Sequence, residues 1–289
     1  ELLMIDLISL EDKKRHLEIT LCDIIARITD QDTLIKDIVS YIMLPTGKLI
    51  RPLLTVLIYE MLDGTKGKIY TCACAAEMIH VATLILDDLP CMDNSPYRRG
   101  KSSCHAVFGD ANATLIAFGL AAESFQILSD KNNFSDIDTD AVTRMLQEIS
   151  KKIGFTGLTG GQIADLNGGA SLLKQTDIPQ KLAYITRNKT AVLFEVCALI
   201  ACCLAEAKPD DKARMITYAH NVGLALQLFD DLHDDKEDTG LSFVKIYGIN
   251  KTKALLQSTI KTSQACITYT NEHARLLKQL PQLLLEIST

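Results

Sequence analysis

The distribution of apolar and polar residues along the chain follows the period of an α-helix. One segment makes this clear, with apolar residues three or four positions apart at Met215, Ala219, Val222, Leu226 and Phe229. Comparable stretches fill most of the chain between its seven prolines, and almost nothing alternates as a β-strand does. The pattern therefore predicts an all-α fold, which we expect to form one domain over residues 1–289.

The longer predicted helices include those over residues 69–89, 105–129, 211–236 and 250–276. They differ in their content of apolar residues. The most apolar stretch, Ala191 to Ala205, contains Glu195 and is shorter than the roughly 20 apolar residues that cross a bilayer. We therefore expect no transmembrane segment.

Composition and charge narrow the class of protein. Hydrophobic residues make up 47% of the 289 residues and charged residues 23%, which supplies enough apolar material for a sizeable core. The net charge of −6 would repel a phosphate backbone, so we expect no nucleic-acid partner. The nine cysteines include no C-x-x-C pair and lie mostly in apolar helical stretches. They indicate reduced, buried thiols and hence a cytoplasmic protein.

A first acidic cluster closes one of the most apolar predicted helices. Asp87 and Asp88 lie at the end of this helix, and Pro90 breaks its hydrogen-bond ladder. The chain can then turn Asp93 back towards Asp87. The sequence thus predicts that three carboxylates gather at one helix end.

A second acidic cluster ends the helix predicted over 211–236. Asp230 and Asp234 are four residues apart, as are Gln227 and Asp231, so the four side chains share one face. These carboxylates repel each other, and a helix C-terminus disfavours negative charge. A solvated helix end would explain either cluster alone, but two such clusters after apolar helices point to hard divalent cations. Mg²⁺ is the natural candidate because it binds through one or two carboxylates plus substrate phosphates.

Basic residues lie in three further places: a turn with Lys48 and Arg51, a tract with Arg98 and Arg99, and a helix start with Lys189. Arginine offers a bidentate fork to phosphate oxygens, and lysine offers a point charge. Together with metal-bound carboxylates, these cations are what a diphosphate needs.

The order of these motifs resembles that of the trans-isoprenyl diphosphate synthases. Asp87-Asp88-Leu89-Pro90-Cys91-Met92-Asp93 resembles the first aspartate-rich motif of that family in its longer form. Asp230-Asp231-Leu232-His233-Asp234 resembles the second, DDxxD. Shorter matches follow the family's order: Thr46 to Pro52 (GGKxxRP, with Thr46 for the first glycine), Gly160-Gly161-Gln162 with Asp165 (GGQxxD), Lys189-Thr190 (KT), and Gln227.

The resemblance implies a fold, an assembly and a reaction. The fold would be all-α around a deep central cavity, usually in a homodimer. The reaction would be head-to-tail condensation, in which an allylic diphosphate (dimethylallyl, geranyl or farnesyl) ionises. The double bond of isopentenyl diphosphate then attacks the allylic cation, and a proton is lost.

The resemblance also implies roles for individual residues. Mg²⁺ would be held by six aspartates: Asp87, Asp88, Asp93, Asp230, Asp231 and Asp234. The allylic diphosphate would be held by Arg98 and Lys189, and substrate would also contact Thr190 and Gln227. Isopentenyl diphosphate would be bound by four residues: Lys48, Arg51, His80 and Arg99. The residues that would act most directly in catalysis are Asp87, Asp88, Lys189 and Asp230.

Two small residues bear on the length of the product. Ala82 and Thr83 lie about one helical turn before Asp87, where bulky residues in this family typically stop the product at farnesyl diphosphate. Their size favours geranylgeranyl diphosphate. Phe118 or Phe125, on the next long helix, could still close the pocket further down.

Three alternatives stay open. The first is the same chemistry ending at farnesyl diphosphate. The second is a weakly active or regulatory subunit of a hetero-oligomeric prenyl diphosphate synthase, because the loop at 235–245 is shorter than in the family and neither Lys236 nor Lys245 aligns clearly. The third is a terpene cyclase, which fits less well because cyclases commonly have one DDxxD motif and no isopentenyl diphosphate site.

Overall fold

The computed structural model describes residues 2–28, 32–167, 178–233 and 241–288, with side chains described between 8 and 283. Over these residues the regular structure is helical apart from one two-stranded antiparallel hairpin. The all-α class predicted from the sequence is therefore confirmed.

The helices within these ranges are numbered in chain order. The first seven are α1 (Leu2–Ile28), α2 (Thr33–Met43), α3 (Ile50–Met61), α4 (Ile69–Asp87), α5 (Cys104–Phe108), α6 (Asp110–Ser129) and α7 (Thr139–Ile153). The next seven are α8 (Leu158–Leu166), α9 (Ile178–Ile185), α10 (Val192–Leu204), α11 (Pro209–His233), α12 (Phe243–Tyr247), α13 (Ile249–Ala265) and α14 (Glu272–Ser288). The remaining elements are the hairpin strands β1 (Tyr97–Arg98) and β2 (Lys101–Ser102), a 3-10 turn (Lys131–Asn133) and a π-helical segment (Thr186–Ala191).

The chain packs as two compact units. Unit 1 comprises Glu1–Val56 and Lys66–Thr139, and it contains the start of α3 together with α1, α2, the hairpin and α4 to α6. Unit 2 comprises Leu57–Thr65 and Asp140–Thr289, and it contains the end of α3 and the helices from α7 onwards. The single domain expected from the sequence stays a prediction.

Helix α4 is the central helix of unit 1. It is buried on every side from Cys72 to Ile79, and it packs against α1 and α6. A helix that is apolar all round belongs in a core, which explains why its sequence shows no single apolar stripe. The helix ends at Asp87, and Pro90 prevents its continuation. The buried body of α4 therefore fixes the position of the aspartates at its C-terminus.

Helix α10 is buried in the same way in unit 2, where it packs against α11. The charged residue inside it is Glu195, which is 4% exposed. Nδ1 of His220 lies 2.8 Å from one carboxylate oxygen of Glu195, and Lys152 pairs with the other. Burial alone would raise the pKa of Glu195, but the hydrogen bonds from His220 and Lys152 outweigh it and hold the pKa below its ordinary value.

The C-terminal part of α11 is held in place by an apolar cluster. Its buried members come from α9, α11, α12 and α13, and they are Leu182, Ala225, Leu228, Phe229, Phe243, Leu256 and Ile260. Phe229 directly precedes Asp230. Packing of this cluster therefore anchors the helix end that carries the second acidic cluster.

Two predicted helices are divided in the structure. The helix expected over 105–129 is interrupted by Gly109, whose φ of +82° ends α5. The helix expected over 250–276 ends at Ala265, and α14 begins only at Glu272, because the polar residues between them favour turns and caps. The hairpin of β1 and β2 lies where the sequence indicates a loop.

Helices α4 and α6 are both long and apolar enough to cross a membrane, judged by length and composition. In the structure 67% of the apolar window of α4 and 39% of that of α6 are buried. Core helices of globular proteins meet the same criteria. The expectation of no transmembrane segment stays a prediction.

All nine cysteines fall in the described part of the chain, and all are free thiols, as the sequence predicts. The expectation that they are buried is wrong for Cys22 and Cys91, which are exposed. Burial raises the pKa of Cys104 to about 11 and the pKa of Cys202 to about 12. These buried thiols are therefore protonated and unreactive at neutral pH.

The buried carboxylate of α10 generates a prediction about stability. Replacing Glu195 with glutamine should lower the free energy of unfolding by about 1.5 to 3 kcal/mol, the range for hydrogen bonds to charged groups. Because the folded-state pKa of Glu195 is depressed, its contribution is complete above the unfolded pKa of about 4.3 and is lost as the pH falls through the folded value. Urea unfolding of both proteins between about pH 7 and pH 3 measures the difference. A difference that stays constant over that range would contradict the assignment.

Candidate active site

The first acidic cluster lies on a tight turn at the end of α4. After Asp87 the chain folds back, and the N–H of Asp93 donates to the carbonyl of Asp87 at 2.9 Å. Asn94 has a φ of +49°, and its N–H donates to the carbonyl of Leu89 at 3.1 Å. The return of the chain expected from the sequence is therefore present. Asp87 is half-buried, and Asp93 is exposed.

Asp88 is bound differently from these two aspartates. It is 2% exposed, and Arg98 donates to its carboxylate from two nitrogens. Nη2 lies 2.5 Å from Oδ1, and Nε lies 3.0 Å from Oδ1 and 3.2 Å from Oδ2. Hydrogen bonding to Asp88, followed by the charges of Asp87 and Asp93, raises the pKa of Arg98 against the effect of its partial burial. In this structure Asp88 therefore lies in an ion pair with Arg98, whereas Asp87 and Asp93 are accessible.

Because of a tight hairpin turn, the adjacent residues Arg98 and Arg99 contact different carboxylates, those of Asp88 and Glu77. Strands β1 and β2 are joined by Arg99 and Gly100, whose φ values are +54° and +74°. This is the geometry of a type I′ turn, and a non-glycine residue in the left-handed region costs about 1 kcal/mol. Arg98 stays on the strand and reaches Asp88, while Arg99 stands at the corner of the turn. Backbone strain of this kind is typical of functional sites.

The guanidinium group of Arg99 packs directly against Gly47, in the turn before α3. A Cβ on Gly47 would lie 2.7 Å from Cζ of Arg99, so a side chain here would displace the guanidinium group from this position. Oε1 of Glu77 lies 3.7 Å from Nη2 of Arg99. Burial raises the pKa of Glu77, although the charges of Arg51 and Arg99 lower it in part. A buried carboxylate thus stands beside two guanidinium groups.

His80 lies about one turn after Glu77 on the same face of α4. Its pKa is lowered well below the ordinary value, mainly by burial and further by the charges of Arg51, Arg99 and Arg98. The ring is therefore neutral at neutral pH. Its Nδ1 is buried and has no hydrogen-bond partner among the described residues. The ring can therefore contact an anion as a neutral donor and not as a cation.

In the described part of unit 1, cationic side chains of the predicted site lie at two places. Arg98 is bound to Asp88 in the first acidic cluster. Arg51 and Arg99 lie beside Glu77, close to the neutral ring of His80, and form the second cationic group. Lys48, also predicted to bind isopentenyl diphosphate, is exposed on the turn before α3.

In unit 2 the predicted Lys-Thr pair lies in the π-helical segment. The side-chain amide of Asn188 donates to the carbonyl of Tyr184 at 3.0 Å, which is the acceptor that the N–H of Asn188 would use in an α-helix. The N–H of Val192 donates to the carbonyl of Arg187, five residues back. A side chain inserted into the ladder in this way widens the helical turn, and such turns are frequent at functional sites.

Both side chains of the pair are held by neighbouring helices. Nζ of Lys189 lies 2.6 Å from Oδ2 of Asp165 on α8. Oγ1 of Thr190 donates to Oε1 of Gln227 on α11 at 2.9 Å. Nε2 of Gln227 donates in turn to Oδ1 of Asp231 at 2.8 Å. A chain of hydrogen bonds therefore links the π-helical segment to the second acidic cluster.

In the second acidic cluster, as in the first, the second aspartate of the adjacent pair accepts hydrogen bonds within its own unit. The N–H of Phe243 donates to Oδ2 of Asp231 at 2.6 Å, so both carboxylate oxygens of Asp231 accept hydrogen bonds within unit 2. Asp230 is exposed. Asp234, the third predicted metal ligand of this cluster, lies outside the described residues, as does Lys236. Lys245 is exposed on α12.

The carboxylates suit Mg²⁺ although they form no closed cage. The described ranges contain no group of three histidine, cysteine, aspartate or glutamate residues placed to hold a metal. Mg²⁺ does not need one, because it typically binds through one or two carboxylates together with waters and substrate phosphates. Asp87 and Asp93, which the turn brings together, offer that set of hard oxygen donors.

The residues predicted to set product length lie on α4. Ala82 is 4% exposed, and Thr83 is half-buried, with Oγ1 donating to the carbonyl of His80 at 2.7 Å. Phe118 is 75% exposed, so it cannot close a pocket inside this chain, and that expectation is wrong. It points outwards because α6 buries the face that carries Ala113, Ala117 and Leu120. Phe125 is half-buried.

Two features of the site were not predicted from the sequence. Glu77 could have been recognised, because it is the one carboxylate of α4 before Asp87 in a mostly apolar helix. It also lies three residues before His80. The π-helical segment could not have been recognised, because its widened turn depends on a side-chain hydrogen bond that periodicity does not reveal.

Known proteins resemble this chain in sequence and in fold. A sequence model described as polyprenyl synthetase matches residues 32–279. The chain is 36% identical over 225 residues to a geranylgeranyl diphosphate synthase of Cyanophora paradoxa, over 78% of this chain and 73% of that protein. It is 36% identical over 206 residues to the mitochondrial geranylgeranyl pyrophosphate synthase 6 of Arabidopsis thaliana, over 69% of this chain and 59% of that protein. The crystal structure of a geranyltransferase from Legionella pneumophila superposes with a TM-score of 0.87 at 26% identity, covering 99% of this chain and 98% of the other.

The family match, the relatives and the shared helical fold identify an all-α prenyltransferase. The chain belongs to the polyprenyl synthetase family, as the resemblance of its motifs predicts. It is accordingly an enzyme whose substrates are isoprenoid diphosphates.

The buried ion pair at the end of α4 generates a second prediction. Replacing Arg98 with alanine should lower the free energy of unfolding by about 1.5 to 3 kcal/mol, because the carboxylate of Asp88 would stay buried without its partner. The double variant Asp88→Asn/Arg98→Ala carries no unpaired charge and should recover part of the loss, as urea unfolding would measure. A double variant less stable than Arg98→Ala would speak against the ion pair.

Proposed function

We propose that this protein is a short-chain trans-prenyltransferase that condenses isopentenyl diphosphate with allylic diphosphates and releases mainly geranylgeranyl diphosphate. One observation carries the proposal. Arg98 pairs with Asp88 at the first acidic cluster, whereas the adjacent Arg99 lies against Gly47 and Glu77 in a second cationic group. Two separate anion sites are what an enzyme needs to hold two diphosphates. A terpene cyclase, whose single substrate carries one diphosphate, would not need the second.

In unit 1 the first acidic cluster would bind the allylic diphosphate. Asp87 and Asp93 are the accessible carboxylates that would hold Mg²⁺, while Asp88 orients Arg98 towards the same region. Mg²⁺, when bound, neutralises negative charge on the leaving diphosphate. Arg98 would stabilise that charge as well, through N–H donors fixed in direction by its fork onto Asp88.

In unit 2 the corresponding roles fall to the second acidic cluster and the π-helical segment. Asp230 is the accessible carboxylate for Mg²⁺, with Asp231 fixed beside it by its own hydrogen bonds. Lys189 would bind the allylic diphosphate, since its side chain is 27% exposed beside Asp165. Thr190 would contact the same substrate.

The second cationic group of unit 1 would bind isopentenyl diphosphate. Arg51 and Arg99 supply the charge, and Glu77 keeps their guanidinium groups together. His80 adds a neutral hydrogen-bond donor, because its pKa is held well below the ordinary value. Exposed Lys48 adds a flexible point charge on the turn before α3.

The reaction follows from these roles. The allylic carbon–oxygen bond breaks, and its electron pair leaves with the diphosphate. The double bond of isopentenyl diphosphate forms the new carbon–carbon bond to the allylic cation, and loss of a proton restores a double bond. Cations and hard ligands are concentrated at the diphosphate end, where charge develops. The apolar side chains of α4 suit the hydrocarbon chain, which must be kept from water while the cation exists.

Product length would be set on the same helix. Ala82 and Thr83 are small, and they lie about one turn before Asp87, so the growing chain has room to pass that level. This favours geranylgeranyl diphosphate over farnesyl diphosphate.

A homodimer is the assembly that we propose. Val107 on α5 is 46% exposed, and Leu115 and Phe118 on α6 are 66% and 75% exposed. Leu115 and Phe118 are three residues apart and share one exposed face of α6. Exposed apolar surface of this kind marks an interaction site, and a second copy of the chain would cover it. Sedimentation tests this by comparing the mass of the native protein with that of Phe118→Asp, whose added charge should prevent dimerisation.

A cytoplasmic location remains a proposal, supported by the free thiols.

The proposed function predicts a metal-dependent product. The purified protein, given Mg²⁺, isopentenyl diphosphate and each allylic starter, should form geranylgeranyl diphosphate, as chromatography of the dephosphorylated products would measure. Chelation should abolish turnover and Mg²⁺ should restore it, and Asp87→Asn should lower the rate by roughly a hundredfold or more. Asp37→Asn, which changes an exposed aspartate of α2, is the matched control and should be active. Full activity in excess chelator would contradict the mechanism, and no product at all would favour a regulatory subunit.

A bulky side chain on α4 should shorten the product. In Ala82→Phe and in Thr83→Phe the ring would occupy the space below Asp87, so the main product should lose one isoprene unit. Thr217→Phe, at an exposed position of α11, is the control and should leave the product unchanged. If wild type already stops at farnesyl diphosphate, or if neither variant alters chain length, the pocket lies elsewhere.

A further inference from the structure

The π-helical segment of unit 2 touches a glycine on each of two helices. A Cβ on Gly161 of α8 would lie 2.7 Å from the backbone nitrogen of Lys189. A Cβ on Gly223 of α11 would lie 2.8 Å from Cα of Ala191. Non-bonded carbon atoms pack at about 3.5 to 4 Å, so neither position tolerates a side chain without movement of the backbone. Both helices therefore approach the segment at a distance that glycine alone allows.

On α8 the close approach is coupled to the ion pair of Lys189. Gly161 and Asp165 are four residues apart and lie on the same face of the helix. The glycine sets the distance between α8 and the backbone of the segment. Asp165, one turn later, then meets the ammonium group of Lys189 at 2.6 Å.

On α11 the same spacing recurs. Gly223 and Gln227 are four residues apart, and Gln227 accepts the hydrogen bond of Thr190 at 2.9 Å. A threonine hydroxyl has no long stem with which to follow a displaced partner. The position of the Thr190 hydroxyl is therefore set directly by the distance between α11 and the segment.

We propose that Gly161 and Gly223 are positioning residues for the binding of the allylic diphosphate. By leaving no side chain against the π-helical segment, they determine where the ammonium of Lys189 and the hydroxyl of Thr190 stand. The substrate in this statement rests on the proposed function, whereas the positioning itself does not. Errors of about 1 Å in such groups can cost roughly a hundredfold in rate, which makes the approach distance matter.

The first test adds one methyl group at each glycine. Gly161→Ala and Gly223→Ala should each raise KM for the allylic diphosphate by about tenfold or more, while KM for isopentenyl diphosphate stays within about twofold of wild type. A structural defect with no positioning role would instead lower the active fraction and leave both KM values unchanged. That result, or an equal rise in both KM values, would overturn the proposal.

The second test asks whether each glycine acts through its own partner. Gly161→Ala/Lys189→Ala and Gly223→Ala/Thr190→Ala should lose clearly less than the product of the two single losses in kcat/KM, because a group that is absent cannot be misplaced. Losses that multiply would overturn the proposal.

A third variant decides the question on α8 if the alanine variants fail to fold, as judged by circular dichroism. Asp165→Asn keeps the size of the side chain but removes the charge that holds Lys189. A rise in KM for the allylic substrate alone supports the proposal. An unchanged KM shows that the position of the ammonium does not matter, which overturns it.

A crystal structure separates this proposal from the proposed function. If wild type turns over no allylic diphosphate, the proposed function fails, and Gly161→Ala is judged by its geometry alone. Nζ of Lys189 should then lie beyond about 4 Å from Oδ2 of Asp165, the limit of an ion pair. Retention of the 2.6 Å contact would overturn the positioning role.

Discussion

Burial of negative charge at a helix end is the constraint on which the candidate site depends. Asp88 is 2% exposed at the C-terminus of α4, where neither desolvation nor the helix dipole favours a carboxylate. Arg98 balances that charge, and in doing so it holds the hairpin against the end of the helix. The hairpin then carries Arg99 at its corner, in contact with Gly47. One ion pair thus bears on the positions of both adjacent arginines, Arg98 and Arg99, while Asp87 and Asp93 are accessible.

In the second acidic cluster the described hydrogen bonds to the carboxylate come from neutral groups. Asp231 accepts from the amide of Gln227 and from the backbone N–H of Phe243. The amide of Gln227 also reaches Thr190, which ties the cluster to the π-helical segment. In each unit one aspartate is hydrogen-bonded within the unit, while the preceding aspartate is half-buried (Asp87) or exposed (Asp230). For the proposed binding of Mg²⁺ and a diphosphate this division is favourable, because the accessible carboxylates are attached to a fixed framework.

Several features of the site follow directly from residue types and spacing. The apolar helix before Asp87, the break at Pro90 and the return of Asp93 are readable from the sequence, because helix ends and proline act locally. The break of the helix at Gly109 is not predictable from the sequence, because an isolated glycine inside a helical pattern does not by itself indicate a positive φ. The exposure of Phe118 is not predictable either, because periodicity shows which residues share a helix face but not which face is buried.

The sequence by itself determined the all-α class, the family and the list of residues that carry charge and metal-binding oxygen, because these depend on composition, period and local motifs. Tertiary structure decided how those residues are used. Whether an aspartate is paired or accessible, and whether two adjacent arginines contact the same carboxylate or different ones, depends on contacts between residues distant along the chain. The packing of Gly161 against the backbone of Lys189 is the clearest case, because a missing side chain acquires meaning only from what another helix places against it.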